Sequence, residues 1–488
     1  MFAHEANIEN DSFIINECTT KCITKCITKR SLMNLIQTDK RRLIVGLGIT
    51  GTSCMRHFLG LGLSFSVLDT REQPPEIEAL LKEFPHVDIR FGAGHEAWVD
   101  DANEIYISPG ISKDDPLFAT AIARGALISG DIDLFAGLVT APVIAISGSN
   151  AKSTVTTLVG KMAECAEINA GVGGNLGEPA LDLLSANREA YVLELSSFQL
   201  ERCSDLQPKV ACLLNVSADH MDRHQTMMAY HQAKQRVYRG AQHIVFNRHD
   251  HLTAPLRTVD VSIKSFGLDV PDLGQFGVKE IKGVRSLVKG FESLMPVSDI
   301  PLIGDHHILN TLAALAIGDA AGFPLAAMQQ AIKQFKGLPH RCEWVGEVNG
   351  VRYINDSKAT NVGATVAALK GLSSSVNGNI VLIAGGQTKG ADFSALITAL
   401  KPLSCKLILL GEGADAIANL ASNQHEVLRA DSLEQAVSIA ASNSHAGDLV
   451  LLSPACASFD MFSGFEQRGN IFKAAVAELA INQREAQQ

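Results

Sequence analysis

From Leu43 onward the chain repeats one pattern: a short apolar run stops at a glycine or a small polar residue, and a helix-compatible stretch follows. LIVGLG, SFSVLD, EIYISPG, PVIAISGSN, YVLELSS, VACLLNVS, HIVFN, IVLIAGG, KLILLGEG and DLVLLSP all read this way. Apolar runs without polar alternation are strands buried on both faces, and the intervening helices are the crossovers that parallel strands need. The pattern predicts an α/β fold with mainly parallel sheets. At 488 residues the chain is too long for one core. Its turn signals divide it into segments 41–131, 132–337 and 338–488, after an extension, 1–40, expected to lack stable structure. Within that extension TKCITKCITKRS repeats a cysteine every four residues, with Cys18 just ahead of Cys22 and Cys26. No histidine or fourth cysteine lies near enough to complete a metal site, and Met33 is a candidate start just before the first strand.

Charge and cysteine usage narrow the function. A formal net charge of −10 argues against a general nucleic-acid binder, which needs a basic face to displace counterions. No apolar run is long enough to cross a bilayer, and MFAHEANIEND lacks the basic and apolar start of a secretory signal. Ten cysteines scattered mostly singly through apolar contexts fit reduced thiols, so a cytoplasmic protein without a membrane partner is expected.

Ligands of open α/β sheets bind beyond the carboxyl ends of strands, so chemistry is sought where the apolar runs stop. RRLIVGLGITG carries glycines at 46, 48 and 51, and Asp69 follows Gly48 by 21 residues. This spacing matches a dinucleotide-binding βαβ unit, but a tight glycine turn at a helix start suits any diphosphate.

The strongest local signal is PVIAISGSNAKSTVTTLVGKM. Backbone N–H groups of Gly148, Ser149, Asn150 and Ala151 at the start of a helix can cradle phosphate oxygens. Lys152 can reach the terminal phosphates, and Ser153 can offer a hydroxyl to magnesium, with Thr154 beside it. Ala151 stands where such loops usually have glycine. A left-handed alanine costs roughly 1–2 kcal/mol, so a right-handed conformation is expected there.

Glu194 interrupts the apolar strand of YVLELSSFQLE, either as a metal ligand at the strand mouth or as the partner of a cation. In NVSADHMDRH, His220 and His224 stand four apart, but no third zinc ligand is evident; a role for His220 near phosphate, as hydrogen-bonding group or ligand of a second metal, fits better. Lys234, in AYHQAKQRVY, reads by itself as a solvated helix lysine. Further on, NDSKATN groups Asp356, Ser357, Lys358, Thr360 and Asn361, and GGQTKGADF adds Lys389 in a glycine turn. Two lysines among small polar residues can receive the carboxylates of an acidic substrate, although each alone is also an ordinary surface lysine. SPACASFDMFSGFEQRG has the small, Pro-containing and aromatic residues of a shaped loop, with Ser458 and Phe465 as candidate contacts.

Taken in order, GSNAKST, VLELSSFQLE, NVSADHMDRH, AYHQAK, GLPHRCE, NDSKATN, GGQTKGAD and LLSPACASFDMFSGFEQRG resemble the Mur ligases, and the last stretch looks most like the D-glutamate-adding branch. The resemblance covers residues 41 to the end. It implies a Rossmann-like UDP-binding N-terminal domain, a central P-loop ATPase domain and a Rossmann-like C-terminal domain. It also implies ATP and Mg²⁺ as cofactors, UDP-N-acetylmuramoyl-L-alanine and D-glutamate as substrates, and an amide formed through an acyl phosphate; a monomer is expected. Carried over by motif, Lys152, Ser153 and Thr154 would cradle the triphosphate, while Glu194 and His220 would hold magnesium. Lys234 would be carbamylated into a carboxylate-like metal support, which overturns its reading as a solvated lysine. Asn310, Arg341 and Asp356 would contact the nucleotide. Lys358, Thr360, Lys389, Ser458 and Phe465 would form the D-glutamate pocket. Ile49, Thr50 and Gly51 would hold the UDP diphosphate, with Asp69, Thr70 and Arg71 near the uridine, Ser108 to Gly110 bordering the site, and Asn175 on the muramoyl group.

Besides Ala151, three residues depart from the family pattern: His307 in place of asparagine near the adenine, Gln387 in place of aspartate, and Phe459 in place of leucine. The chain shows no Asp-Asn-Pro-Arg stretch of the diamino-acid-adding branch. A dehydrogenase would use GLGITG for a nicotinamide cofactor but would leave the second phosphate loop and the third segment without a purpose. The intact Lys152, Glu194, His220 and Lys234 argue against a UDP-sugar sensor without turnover.

Overall fold

The computed structural model describes residues 40–74, 77–256, 261–373, 376–421 and 424–486. The cysteine repeat and Met33 lie outside them. The chain forms two compact units that part between Leu134 and Phe135.

In the first unit, β1 (Arg42–Val45), β2 (Ser66–Asp69), β3 (Asp88–Phe91), β4 (Glu104–Ile107) and β5 (Leu127–Ser129) form a sheet of order β3-β2-β1-β4-β5. All of its pairings are parallel. This is the doubly wound arrangement that the glycine turn predicts, with the turn leaving the central strand where the strand order reverses. Helix α1 (Ile49–Gly60) follows that turn, and Leu43, Val45, Leu68, Ile105 and Ile107 bury the centre of the sheet.

The second unit holds two sheets. The first contains β6 (Val143–Ser147), β7 (Ala170–Gly174), β8 (Ala190–Glu194), β9 (Val210–Leu213), β10 (His243–Asn247), β11 (Ser262–Phe266), β12 (Phe276–Ile281), β13 (Val284–Lys289) and β14 (Glu292–Pro296). Its order is β14-β13-β12-β11-β10-β9-β6-β8-β7, antiparallel only in the β12-β13-β14 meander. Strand β6 sits where the winding reverses, and the phosphate-loop sequence leaves its carboxyl end into α2 (Lys152–Cys165). The alanine-rich α3 (Asp305–Ala321) packs with α2 over this sheet through Leu158, Met162, Leu312 and Leu315.

The other sheet contains β15 (Glu343–Val348), β16 (Val351–Asn355), β17 (Ile380–Gly385), β18 (Cys405–Leu410), β19 (Glu426–Arg429) and β20 (Leu449–Leu452), in the order β15-β16-β20-β17-β18-β19. Only β15 runs antiparallel. Because β16, β20 and β17 are adjacent and parallel, NDSKATN, SPACAS and GGQTKG emerge side by side from one edge. Two more helices flank the sheet, α4 (Val362–Ser373) and α5 (Phe465–Ala486).

Candidate active site

In the first unit the glycine turn is closed by its own side chains. Gly46 has φ +98°, and a Cβ on Gly51 would lie 2.0 Å from the Gly46 carbonyl oxygen, so both positions require glycine. Buried Asp69 accepts from the Leu47 N–H at 2.7 Å and from the Arg71 guanidinium at 2.7 Å, while the Ser108 hydroxyl donates to Gly46 O at 2.8 Å. Burial pulls the Asp69 pKa up, but the Arg71 and backbone donors outweigh it and hold the carboxyl below its ordinary value. The carboxylate that the resemblance puts near the uridine thus fixes the turn. Exposed Ile49, half-buried Thr50 and exposed Gly110 line its outer side, with exposed Thr70 beyond Asp69.

In the second unit β6 is wholly buried, and residues 148–151 turn into α2. The turn is stitched to the carboxyl end of β9. Asn150 N–H donates to Asn215 Oδ1 at 2.8 Å, and Asn215 Nδ2 returns a bond to Asn150 O at 3.1 Å. The Ser149 hydroxyl donates to Ser217 O at 2.9 Å and lies 2.9 Å from the Tyr230 hydroxyl. Ala151 adopts φ +66°, ψ −2°, a left-handed conformation that corrects the right-handed expectation. The penalty, about 1–2 kcal/mol, is outweighed by the bonds that hold the loop on either side.

Charged groups converge beside this loop. Lys152 Nζ donates to Gly148 O at 2.8 Å and to Ser149 O at 3.1 Å. Lys234 is 1 % exposed, donates to Gly148 O at 2.7 Å and rests 4.7 Å from the centre of the Tyr230 ring. Burial, followed by the charge of Lys152, holds its pKa well below the ordinary lysine value, although Asp219 and Glu194 oppose the shift. Glu194, also buried, accepts from Asn175 Nδ2 at 2.7 Å through Oε1, whereas its Oε2 has no hydrogen-bond partner. Asn175, expected on the muramoyl group, thus orients this carboxylate.

His220 is held left-handed at φ +56°, and its Nε2 lies 3.7 Å from Asp219 Oδ2. Burial lowers its pKa; Asp219 opposes this, and the charges of Lys152, Lys389 and Lys234 reinforce it. His224 is buried, pairing through Nε2 with the Ser197 hydroxyl at 3.0 Å and stacking on Phe198, so the two histidines do not act as a zinc pair.

The third sheet brings its residues onto the same site. Arg341 Nη2 donates to the Ser153 hydroxyl at 2.7 Å, and Asn361 Nδ2 reaches Asn150 Oδ1 at 3.2 Å and Asp219 Oδ2 at 3.1 Å. Asp356 accepts from Cys342 N–H at 3.1 Å and Ser453 Oγ at 2.9 Å; burial raises its pKa to about 6. Lys358 places its ammonium 3.6 Å from the Phe465 ring centre, and burial lowers its pKa to about 8. Lys389 takes a left-handed turn, φ +49°, with its ammonium 5.9 Å from the exposed Phe459 ring. Half-buried Thr360 lies in the same NDSKATN loop, and Ser458 is buried just after the Gln387–Ala457 bridge. Asn310 lines a cavity of about 300 Å³ with Arg341, Asp356, Lys358 and His307.

The sequence reading missed the residues that build this frame. Asn215 and Tyr230 brace the phosphate loop, Asp219 holds Asn361, and buried Arg468 donates to Ser357 O at 2.8 Å and to Cys456 O and Ala457 O at 3.3 Å. Its signal is a lone arginine in FEQRG directly after a loop whose carbonyls need donors.

Three family models match the chain: the MurD-like N-terminal domain of Mur ligases over residues 40–130, the Mur ligase middle domain over 146–318, and the Mur ligase glutamate ligase domain over 340–456. The UDP-N-acetylmuramoylalanine–D-glutamate ligase of Pseudomonas aeruginosa is 51% identical over 92% of this chain and 100% of its own length. The chain is a Mur ligase.

The ligase of the same name from Legionella pneumophila is 47% identical over 90% of this Mur ligase and 99% of its own length. Solved structures share the three-domain fold. The UDP-N-acetylmuramate–alanine ligase of Thermotoga maritima superposes with TM-score 0.55 at 17% identity, covering 92% of this chain and 100% of that one. The MurF ligase of the same organism, solved in complex with ADP, gives 0.54 at 16%, covering 91% and 97%. Among the described residues of this Mur ligase, no helix is long and apolar enough to cross a membrane.

Proposed function

We infer that this Mur ligase joins D-glutamate to UDP-N-acetylmuramoyl-L-alanine at the expense of ATP, a step of peptidoglycan precursor synthesis. Its relatives of that name, near 50% identical along almost the whole chain, support this reading. The observation that carries it is the buried Glu194 oxygen without a partner, in electrostatic reach of Lys152 and Lys234 at a phosphate loop. An unpaired carboxylate oxygen in such a place is costly unless something cationic completes it.

The segments 41–131, 132–337 and 338–488 divide the work. In the first, α1 offers its N-terminal N–H groups to the UDP diphosphate through Ile49, Thr50 and Gly51, with Arg71, Thr70, Ser108 and Gly110 around it. In the second, the N–H groups of residues 148–154 hold the ATP phosphates, and Lys152 exchanges its carbonyl partners for phosphate oxygens. Asn310, Arg341 and Asp356 hold the nucleoside end and the phosphate chain. Ser153, Glu194, His220 and a carbamylated Lys234 would hold Mg²⁺, which would supply charge neutralisation for phosphoryl transfer. Burial shifts the Lys234 amine toward the neutral form, the form that attacks carbon dioxide, forming an N–C bond and losing a proton.

The terminal phosphoryl group passes to the alanyl carboxylate, giving ADP and an acyl phosphate. The D-glutamate amine then attacks the carbonyl carbon, and the tetrahedral adduct collapses to amide and phosphate. Lys358, Thr360, Lys389 and Ser458 receive the glutamate carboxylates, and Phe465 holds the Lys358 ammonium in place. Most of the rate comes from positioning and charge neutralisation. The enzyme acts as a cytoplasmic monomer in this reading. ADP formation should require both UDP-N-acetylmuramoyl-L-alanine and D-glutamate. A purified enzyme that binds ATP yet releases no phosphate with that pair would sink the proposal.

A further inference from the structure

One cluster in the second unit, at the edge of the cavity read above as the nucleotide site, has been given no chemical role in the reaction. His306 and His307 open α3, and Cys342 lies just before β15 with φ +46°. One ring nitrogen of each histidine and the Cys342 sulfur lie within 4.8 Å of one another. Both nitrogens of His306, and Nδ1 of His307, are buried without a hydrogen-bond partner. Buried polar atoms rarely stay unpaired, so three of them beside one thiol point to a missing cationic partner. The packing also holds the His306 ring in place: a Cβ on Gly371 would lie 1.9 Å from its Nδ1 and one on Gly304 2.9 Å from its Cε1. Only glycine lets α4 and the start of α3 close on that ring.

We propose that His306, His307 and Cys342 form a binding site for a zinc-class transition metal. Two imidazoles and one thiolate are a borderline-soft donor set that suits zinc or cobalt(II) and not the hard magnesium ion. Bond lengths of about 2.0–2.1 Å to nitrogen and 2.3 Å to sulfur require the three atoms to close by roughly 1 Å. Rotation of the half-buried Cys342 side chain, with small adjustments of the His307 ring, can supply that while the His306 ring stays where its packing holds it. Burial holds both imidazoles in the neutral, ligating form, pulling His306 down to about 4 and His307 well below its usual value. On binding, the sulfur–hydrogen bond is exchanged for a sulfur–metal bond and the proton leaves to solvent. Three protein ligands leave a fourth position for water.

The three residues line the cavity of about 300 Å³ that also holds Ala151, Asn310 and Arg341. Bound metal and bound nucleotide therefore exclude each other, an effect that rests on the nucleotide reading above. His307 stands where the family pattern set out above has asparagine.

Cobalt(II) added to the full-length chain should give a thiolate-to-cobalt charge-transfer band and tetrahedral visible absorption. Equilibrium dialysis with free zinc clamped by a chelator buffer should show zinc bound. Cys342→Ser should remove the band, and Cys342→Ser or His307→Asn should weaken zinc by roughly 10–100-fold. No band with the wild-type chain overturns the site, with no dependence on how the variants fold. A band unchanged in Cys342→Ser also overturns it and moves the metal to other thiols such as Cys18, Cys22 and Cys26. At clamped free zinc, saturating ADP should raise the apparent zinc Kd at least tenfold; an unchanged Kd overturns the exclusion. ADP binding to the zinc-free chain is measured alongside, so failure of the nucleotide reading is seen separately from failure of the metal site.

Discussion

The two glycine-type turns of this enzyme share a plan, a buried parallel strand running into a helix N-terminus, yet they are finished in opposite ways. At GLGITG every charge is spent within the turn: Asp69 is paired with Leu47 N–H and Arg71, and glycine occupies each position where a Cβ would meet backbone. At GSNAKST the neighbouring charges are held in tension. Two lysines point at carbonyl oxygens, a carboxylate oxygen lies buried without a partner, and an alanine sits in a glycine's conformation. The first turn is a finished surface that can hold a diphosphate by backbone N–H groups alone. In the proposed function the second is completed by a triphosphate and a cation. Similar local patterns in sequence thus correspond to a passive cradle and to a reactive centre.

The largest effect should separate the two. Lys152→Ala removes the cation that the proposed function aims at the transferred phosphoryl group and should lower kcat by roughly 10²–10³-fold or more, with the fold retained by circular dichroism. A nearly unchanged rate would break the assignment of the second turn. Gly51→Ala does the converse. Its Cβ would stand 2.0 Å from Gly46 O, so the first unit should lose about 1–3 kcal/mol in urea unfolding. Binding of UDP-N-acetylmuramoyl-L-alanine should weaken while ATP binding persists. Loss of both ligands together would show that the turns are not independent.

How far the sequence discloses these differences depends on what each feature answers to. The buried runs and their glycine ends are local, and so were the phosphate loop, Glu194 and the lysines of the third sheet. The strand order β16-β20-β17 could not be read locally, because it joins residues about a hundred positions apart. Asn215 escaped notice for a related reason: an asparagine shows nothing in sequence until the backbone group it satisfies is in place. Arg468 went unnamed in the sequence reading, yet it is buried because the SPACAS loop presents the Cys456 and Ala457 carbonyls to its guanidinium. Ala151 was misjudged because a local penalty of about 1–2 kcal/mol was weighed without the tertiary bonds that exceed it.

The two turns also differ in their response to pH. Asp69 has a native pKa below its unfolded value, so its contribution is present at neutral pH and lost as pH falls through the native value. Lys234 has a native pKa well below its unfolded value. The unfolded chain therefore binds the extra proton, and stability rises with pH between those two values. Lys234→Met, studied in bicarbonate-free buffer, should remove that alkaline rise and stabilise the fold near neutral pH by about 1 kcal/mol or more, while turnover collapses. An unchanged pH profile would mean that the amine is not carried neutral in the native state.

The smallest effect tests the strain itself. At φ +66° an alanine gives up about 1–2 kcal/mol relative to glycine, whereas glycine gives up about 0.5–1 kcal/mol more chain entropy on folding. The difference favours Ala151→Gly by about 0.5–1 kcal/mol, read as a higher urea midpoint at unchanged m. Gly51→Ala, by comparison, puts a Cβ into backbone and has no such balance to strike. If Ala151→Gly instead destabilised the enzyme, the loop would owe its shape to contacts of the Ala151 methyl, which packs at the edge of the core under α2 and α3. The strain at the second turn would then be a packing requirement, and the contrast with the first turn would rest on charge alone.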